Sequence, residues 1–364
     1  MPPTPHLGWT GGQYSLVRGL LGLALLASFA AELARVSSIE PAGHPAVAIT
    51  GATCAMLLVF GITGRSASAA LLAILAQRAL AGVAHPSPLF SLPLALHLAV
   101  PPAPFLSWPA RGRIDPAGGW AAPHRVFAVY RWLAAVASAL PLVWMLAVEE
   151  LRGGVAPAGW EALCLTSAFG GGLLGLSRRA GIGWLIVAFT LPLAITVGGA
   201  PHHALAAAVA LVFAVDPAWI APVVDAPNGG SDSPLVFYDG HCGLCHSSVR
   251  LCLAEDARGA MRFSPLGSHT FTTRLTEATR NALPDSMVLV LPGGRHATRS
   301  TAAVWLLVRL GGLWRALGHA LWAVPRPLRN LGYRVIASIR NGLFAAPSES
   351  CPILPPAYRD RFLG

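Results

Sequence analysis

About eight apolar stretches fill the first 221 residues of this chain, and they constrain its fold more than any other feature. Each has roughly the ~17–25 residues with which an α-helix crosses the hydrocarbon core of a bilayer. The stretches cover residues 16–34, 46–63, 67–84, 88–106, 126–148, 160–177, 181–198 and 203–221. Prolines interrupt the fourth, where a re-entrant segment is the alternative. The sequence therefore predicts a multi-pass, all-α membrane domain over residues 1–224.

The composition points the same way. Only 12% of the 364 residues are charged, against about 25% in a typical soluble domain. The net charge is +10, and all 26 basic residues are arginine. A basic chain with membrane helices favours anionic lipid over nucleic acid, for which the sequence carries no binding motif. We therefore expect the lipid bilayer as a partner and no nucleic acid.

The distribution of arginine between the connecting loops predicts the orientation in the membrane, because positive loops stay in the cytoplasm. The even-numbered loops hold Arg65, then Arg111, Arg113 and Arg125, then Arg178 and Arg179. The odd-numbered loops hold mostly acidic residues and histidines. We therefore expect a protein of the inner (plasma) membrane with both termini in the cytoplasm. A cleaved signal peptide is the competing interpretation of the first stretch, but its polar lead-in is long and further helices follow.

The sequence pattern changes near Asp225. Residues 225–233 are polar and rich in Gly and Ser, which indicates a flexible linker. Beyond it, short apolar runs predict strands over 235–238, 261–264, 287–291 and 295–298, with a turn at residues 292–294. Helices are expected over 242–253, 268–283 and 300–310, the last with Ser300 as its N-cap, and further helices over 313–343. This β-α-β-α-β-β-α order is that of a thioredoxin-like α/β domain, here placed at residues 234–364 and extended by C-terminal helices.

One pair of cysteines carries most of the functional signal. The chain has six cysteines, too few and too scattered for a disulfide scaffold, but Cys242 and Cys245 are spaced C-x-x-C. They follow a strand and a Gly-containing turn, so that a helix opens at Cys242. The free N–H groups and partial positive charge of a helix N-terminus stabilise a thiolate, the attacking species in disulfide exchange. We therefore assign Cys242 as the nucleophile and Cys245 as the resolving thiol.

A zinc site is the main alternative for this pair. A four-cysteine site needs a second C-x-x-C, which the sequence lacks, and Cys252 lies about two helical turns beyond Cys245. Cys351 or a histidine could in principle complete a site. The redox interpretation is favoured, with no metal and no other cofactor expected.

Neighbouring residues suggest further roles. Asp239, three residues before Cys242, is either a proton acceptor for a cysteine or a turn residue, and the two roles are compatible. His241 and His246 could add positive charge, or could be solvated surface residues. Pro284 resembles the proline that thioredoxin folds keep cis beside the cysteines, although its offset from the strand differs.

Residues 234–364 resemble the DCC family of predicted thiol–disulfide oxidoreductases, whose signature is Asp-x-x-Cys-x-x-Cys after a strand. The matching segments are 237–245, 262–266, 299–300, 310–314, 325–329 and 359–363. The resemblance implies a thioredoxin-like fold and disulfide reductase activity toward a protein or small-molecule thiol or disulfide. It places Asp239, Cys242 and Cys245 on the motif positions. Residues 338–343 depart from the Arg-Asn-Arg-Tyr segment found in many members.

The N-terminal part is similar to the HTTM type of membrane domain, which is distantly related to vitamin K-dependent carboxylase. The similarity rests on residues 9–18 and the loop 101–120. Carboxylase activity is not expected, because a chain without lysine has no catalytic lysine.

The last long helical segment is amphipathic. From Pro327 onward, Leu328, Leu331, Val335, Ile336 and Ile339 fall on one face, and arginines fall elsewhere. The segment is either a helix that lies on an anionic membrane surface or an ordinary domain helix with a solvated basic face.

Three functions remain open from the sequence. The first is a membrane-anchored thiol–disulfide oxidoreductase of the protein-disulfide reductase type. The second is a transmembrane electron relay in which Cys54 and Cys164 pass electrons across the bilayer. The third is a non-enzymatic membrane component whose C-terminal domain is inert.

Overall fold

The computed structural model describes residues 8–36, 45–80, 88–151, 170, 201–220, 233–256, 258–284, 286–343 and 356–363. The chain packs as two compact units. The helical unit consists of Tyr14–Arg111 and Ala121–Asp216. The α/β unit consists of Met1–Gln13, Gly112–Trp120 and Pro217–Gly364.

Helices account for the N-terminal region, as the apolar stretches predict. They are α1 (Gly11–Val36), α2 (Pro45–Phe60), α3 (Gly64–Leu80), α4 (Pro88–Ala99), α5 (His124–Leu151) and α6 (Pro201–Val212). Each overlaps one predicted stretch, and the stretches 160–177 and 181–198 lie outside the described residues apart from Gly170. The fourth helix ends at Ala99, before the prolines at 101 and 102, because proline lacks the N–H that continues a helix.

Helix α1 contains the one candidate membrane span among the described residues. Gly11–Ala34, 24 residues long with a mean hydropathy of 1.7, has the length and composition to cross a bilayer. The 16-residue helix Pro45–Phe60 is apolar but shorter.

Small residues let α1 and α2 approach each other closely. A Cβ added at Gly22 would lie 2.8 Å from the backbone nitrogen of Val59 and 2.9 Å from the carbonyl oxygen of Ala55. In return, a Cβ at Gly51 of α2 would lie 2.5 Å from the ring of Phe29 in α1. The backbone atoms at Gly22 leave no room for a side chain, whereas a side chain at Gly51 would require the Phe29 ring to shift. Small residues at such contacts are enriched between helices in membranes.

The α/β unit is built on a small mixed sheet. Its strands are β1 (Leu235–Tyr238), β2 (Arg262–Pro265), β3 (Val288–Val290) and β4 (His296–Thr298), in the order β2-β1-β3-β4. β1 pairs parallel with β2, with Val236 opposite Phe263. β3 is antiparallel to both β1 and β4. All four residues of β1 are buried, because this strand is central in the sheet and covered on both faces.

Helices surround this sheet. They are α7 (Gly243–Glu255), α8 (His269–Arg274), α9 (Glu277–Ala282), α10 (Arg299–Leu310), α11 (Gly312–Ala323) and α12 (Arg326–Leu343). The elements follow the order expected from the sequence, with short 3-10 turns at Pro292–Gly294 and Pro356–Arg361.

The single helix expected over 268–283 is wrong, because two short helices occupy that range. Leu275 adopts an extended conformation between them and turns its side chain into the core. Thr276 then caps the second helix by accepting the N–H of Thr279, at 3.3 Å. The burial of Leu275 and the cap at Thr276 together stabilise this segment more than one continuous helix would.

Two further local expectations differ from the structure. The N-cap of α10 is Thr298 instead of Ser300. The buried Ser300 hydroxyl donates to Oδ1 of Asn330 in α12, at 2.6 Å. The peptide bond before Pro284 is not cis, and no cis bond occurs anywhere among the described residues. The turn at Pro292–Gly294 is confirmed, and its two glycines have φ of 79° and 76°, values that favour glycine.

The core of the α/β unit lies beside β1. Leu235, Phe237, Leu275 and Val288 form a buried cluster, and Phe271 packs edge-on against Phe237 with ring centroids 5.0 Å apart. These contacts fix the strand that leads into the cysteine motif.

The C-terminal tail covers the outer edge of β2. Phe362 forms a parallel bridge with Phe263, and the Leu363 N–H donates to the Phe263 carbonyl at 2.8 Å. Arg361 and Asp256 form a buried ion pair, with Nη2 and Oδ2 2.5 Å apart. Covering an edge strand removes a site for unwanted pairing with another chain.

Two segments from the N-terminal half of the sequence also belong to the α/β unit. Glu255, the last residue of α7, accepts the Gly12 N–H at 2.8 Å, the Trp314 indole N–H at 2.5 Å and the Thr10 hydroxyl. Burial raises the pKa of this carboxyl, and these hydrogen bonds oppose that rise.

The second segment is the loop 112–120. Arg250 of α7 donates to the carbonyl of Arg113, and the Tyr358 hydroxyl donates to Oδ1 of Asp115 at 2.9 Å.

Candidate active site

The cysteine motif lies where the central strand β1 turns into α7. The turn closes when the Cys242 N–H donates to the Asp239 carbonyl, at 3.3 Å. Cys242 is extended, with φ −102° and ψ 114°, and forms the N-cap of α7. Its carbonyl accepts the His246 N–H at 3.0 Å, the first hydrogen bond of the helix. The structure therefore places the first cysteine at the helix N-terminus that the sequence predicts.

The Cys242 sulfur takes the position of a capping oxygen. Its Sγ accepts the backbone N–H of Cys245, at 3.4 Å. This N–H has no partner within the helix, so a negatively charged sulfur satisfies it better than a neutral thiol does. The sulfur therefore lies at the N-terminus of α7, where the helix has its partial positive charge.

The second cysteine has a raised pKa. Burial raises the pKa of the Cys245 thiol to about 12, and a side-chain hydrogen bond with Cys242 contributes in the same direction. The negative charge of Asp239 adds to this rise, whereas a backbone hydrogen bond with Asp239 opposes it. The pair therefore combines one sulfur that accepts a helix N–H with a neighbouring thiol that keeps its proton.

Asp239 has the turn role that the sequence allows. Its Oδ1 accepts the His241 N–H at 2.9 Å, the hydrogen bond of an Asx turn. The charge of its carboxylate is also one of the smaller causes of the raised pKa of the Cys245 thiol. The role of Asp239 as a proton acceptor stays a prediction.

The two histidines differ. His241 is exposed, as a surface residue would be. His246 is buried, so the solvated interpretation is wrong for it. Its Nε2 lies 2.9 Å from the Gly240 carbonyl, and its ring packs edge-on against Tyr238. Because a carbonyl only accepts, Nε2 carries the proton, and His246 ties the turn to the helix.

Comparisons with known proteins agree with this geometry. Residues 236–346 match the family described as DCC1-like thiol-disulfide oxidoreductase. The protein YuxK of Bacillus subtilis (strain 168), itself named uncharacterized, is 34% identical over 133 residues, which cover 35% of this chain and 93% of YuxK. Through this C-terminal domain, the chain belongs to the DCC1-like family.

A second relative extends the family match. A chloroplastic DCC family protein of Arabidopsis thaliana is 25% identical over 120 residues, which cover 33% of this chain and 69% of that protein. No solved structure matches the chain.

Both cysteines of the C-x-x-C pair are largely shielded from solvent. Cys242 is 4% exposed and Cys245 is 8% exposed. A disulfide could therefore reach these sulfur atoms only if the turn 239–242 moved and exposed them. The hydrogen bond from His246 to Gly240 resists such a shift.

The other cysteines of the chain lie elsewhere. Cys252 is buried in α7, where burial raises the pKa of its thiol to about 12 and makes it unreactive. Cys54 is a half-buried free thiol in α2, and Cys164 and Cys351 lie outside the described residues. Among the described residues, no three His, Cys, Asp or Glu side chains lie close enough together to hold a metal ion.

The sequence reasoning missed the positioning residues of the DCC1-like domain. For His246 the sequence suggested either a positive charge or a solvated surface position, whereas its ring reaches back to the Gly240 carbonyl of the preceding turn. Glu255 carried the clearest unused signal, because an acidic residue at the end of an apolar helix face needs hydrogen-bond donors when it is buried.

Proposed function

We propose that this protein is a membrane-anchored thiol–disulfide oxidoreductase of the protein-disulfide reductase type, with Cys242, Cys245 and Asp239 as its catalytic residues. One observation carries the proposal: the Cys242 sulfur caps α7 and accepts the Cys245 N–H. The thioredoxin-like interpretation of residues 234–364 is supported by the strand order β2-β1-β3-β4, with β1 and β2 parallel.

In the first step, the Cys242 thiolate attacks one sulfur of a substrate disulfide. A mixed disulfide forms between Cys242 and that sulfur, the substrate S–S bond breaks, and the second substrate sulfur leaves as a thiolate that takes a proton. In the second step, Cys245 loses its proton and its thiolate attacks the Cys242 sulfur. The Cys242–Cys245 disulfide forms and the bond between Cys242 and the substrate breaks. The substrate sulfur that Cys242 held leaves as a thiolate and takes a proton, so two electrons have passed from the pair to the substrate.

We assign Asp239 as the general base of the second step. A thiol with a pKa of about 12 is a poor nucleophile at neutral pH until a base removes its proton. The charge of the Asp239 carboxylate contributes to the raised pKa of this thiol, and we assign the carboxylate as the group that accepts the proton and returns it to solvent. An Asp239→Asn variant keeps the turn acceptor but loses the base. We expect it to form the mixed disulfide normally and to resolve it about 10²–10⁴-fold more slowly.

The membrane part of the proposal assigns residues 1–224 to about eight spanning helices of the HTTM type, followed by a linker at 225–233. The apolar helix Gly11–Ala34 and the close glycine contacts between α1 and α2 support it. In this arrangement the membrane domain anchors the oxidoreductase at the inner membrane.

Contacts inside the α/β unit support a cytoplasmic oxidoreductase. Residues 10–13 and the loop 112–120 form hydrogen bonds with the C-terminal part of this unit. The arginine distribution independently assigns the N-terminus and this fourth loop to the cytoplasmic side. Both segments therefore agree with a C-terminal domain on that side.

A mixed-disulfide trap tests the redox roles. In the full chain expressed in its membrane, Cys245→Ser should accumulate a substrate adduct on Cys242, because the resolving thiol is gone. Cys252→Ser is the matched control, since it removes a buried thiol from the same helix and should trap nothing. Non-reducing gels and peptide mass spectrometry identify the adduct and its site. An adduct that persists when Cys242 is also replaced by serine would disprove the assignment.

The same variants separate the competing functions. A relay through Cys54 and Cys164 predicts that serine at both positions abolishes reductase output on the periplasmic side and spares cytoplasmic activity. An inert domain predicts that Cys242→Ser changes neither activity nor phenotype.

A further inference from the structure

Helix α12 presents an apolar stripe to its surroundings. Its members are between 47% and 59% exposed: Leu328, Leu331, Val335, Ile336 and Ile339. At about 100° per residue, these positions share one face of the helix. Five large aliphatic side chains on one exposed face form a contiguous patch, and such patches mark interaction sites.

The opposite face of α12 holds it on the α/β unit. Asn330 accepts the Ser300 hydroxyl at 2.6 Å, and Tyr333 and Ala337 are half-buried on the same side. The helix packs against α10 and against α7, which carries the cysteine pair. The apolar stripe is therefore not the face by which α12 packs on the α/β unit, because the opposite face makes those contacts.

The part of the sequence that contains the stripe is uniformly basic. Residues 295–348 contain eight arginines and no acidic residue. Four of these arginines, at positions 326, 329, 334 and 340, belong to α12. Leu321 and Trp322, at the end of α11 and shortly before α12 in the chain, are exposed as well.

We propose that α12 lies in the plane of an anionic membrane surface, with its aliphatic stripe inserted among the acyl chains. A basic helix with one apolar face, preceded in the chain by an exposed tryptophan, has the properties of an interfacial helix. A second copy of the chain fits less well, because pairing two such faces would bring eight arginines together without a counter-charge. Anionic headgroups supply that counter-charge all around the stripe.

The consequence concerns the redox helix. Because α12 also packs on α7, lipid contact orients the cysteine helix at the bilayer surface. Substrates of the site would then be thiols or disulfides close to the membrane. This proposal does not depend on the chemistry of the cysteine pair, so the two can fail separately.

Site-directed spin labelling of the full chain in lipid nanodiscs tests the contact. The label is placed by Ile336→Cys on the stripe, or by Thr273→Cys at an exposed position of α8 as the control, with the six native cysteines replaced by serine. Collision rates are measured with oxygen, which concentrates in lipid, and with a nickel chelate, which stays in water. In discs that contain phosphatidylglycerol, the oxygen-to-nickel ratio at position 336 should exceed that at 273 on the order of tenfold. Arg334→Gln with Arg340→Gln should lower it.

Two outcomes would overturn the proposal. Equal access of the nickel chelate to positions 336 and 273 would mean that the stripe faces water. Protection of position 336 from both reagents would mean that protein covers it. A second measurement uses the chain with its native cysteines, so that folding of the variant is not in question. A photoreactive phosphatidylglycerol should label residues 326–343 more than residues 269–282, and equal labelling would contradict lipid insertion.

Discussion

The ion pair between Asp256 and Arg361 lends itself to a quantitative prediction about the α/β unit. Asp256 follows the last turn of α7 and Arg361 lies in the C-terminal tail, and both side chains are buried. Asp256→Asn and Arg361→Met each remove one charge while nearly keeping its volume. The double variant removes both charges, and Asp360→Asn, at the exposed neighbouring residue, is the control.

The expected magnitude follows from the charge that is left behind. Removing one partner of a buried ion pair costs about 3–5 kcal/mol, because the remaining charge is uncompensated. Arg361→Met also loses the hydrogen bond from Nε to the Met261 carbonyl, at 3.2 Å. The double variant leaves no buried charge and should lie close to the wild type. The two substitutions should therefore be strongly non-additive, as residues in one network are.

Alkylation of Cys252 measures this destabilisation. Cys252 is 2% exposed and sits one turn before Asp256, so it reacts only when this end of α7 opens. When opening is a rapid pre-equilibrium, the rate is proportional to the opening constant. A cost of 3–5 kcal/mol then accelerates labelling by about 2.2 to 3.7 powers of ten. Peptide mass spectrometry of the full chain reads this site separately from the other cysteines.

The reasoning would be refuted by wild-type labelling rates in both single variants. It would also be refuted if the double variant were as labile as the sum of the singles, since the loss would then come from packing instead of unpaired charge.

Two further predictions concern the thiols and the turn. Burial raises the pKa values of Cys245 and Cys252 from 9.0 to about 12, so folding favours both neutral thiols. Their contribution to stability is complete below pH 9 and is lost as the pH rises from about 9 to 12. Thermal denaturation should show this loss, and Cys252→Ala should reduce it. His246→Ala removes the hydrogen bond to Gly240 and should loosen the turn by about 0.5–1.5 kcal/mol. Faster alkylation of Cys242 would show that the turn has loosened. An unchanged rate would mean that the hydrogen bond from His246 to Gly240 does not stabilise the turn.

Much of the candidate site was predictable because its signals are local. A buried strand, a Gly-containing turn and a cysteine at the start of a helix are neighbours in the sequence, so their geometry follows from backbone preferences. The same holds for the turn at Pro292–Gly294, where two glycines adopt positive φ. The N-cap position of Cys242 required no tertiary information.

Expectations failed where a distant residue competes with a local preference. Ser300 has the side chain of a helix cap, yet its hydroxyl binds Asn330, thirty residues away. The helix over 268–283 breaks at Leu275 because the core takes this side chain. Histidine is a polar residue that is often found on the surface, but His246 is buried because its ring packs against Tyr238 of β1.

By itself, the sequence determined the helical character of the first half, the order of strands and helices in the second, and the placement of Cys242 at a helix N-terminus. These depend on periodicity, turn chemistry and spacing, which act over a few residues. Only the tertiary structure decided that Glu255 receives donors from Thr10, Gly12 and Trp314, and that Arg361 pairs with Asp256. The pairing of buried charges depends on their distance in space and on the cost of desolvation, and neither quantity can be obtained from the sequence alone.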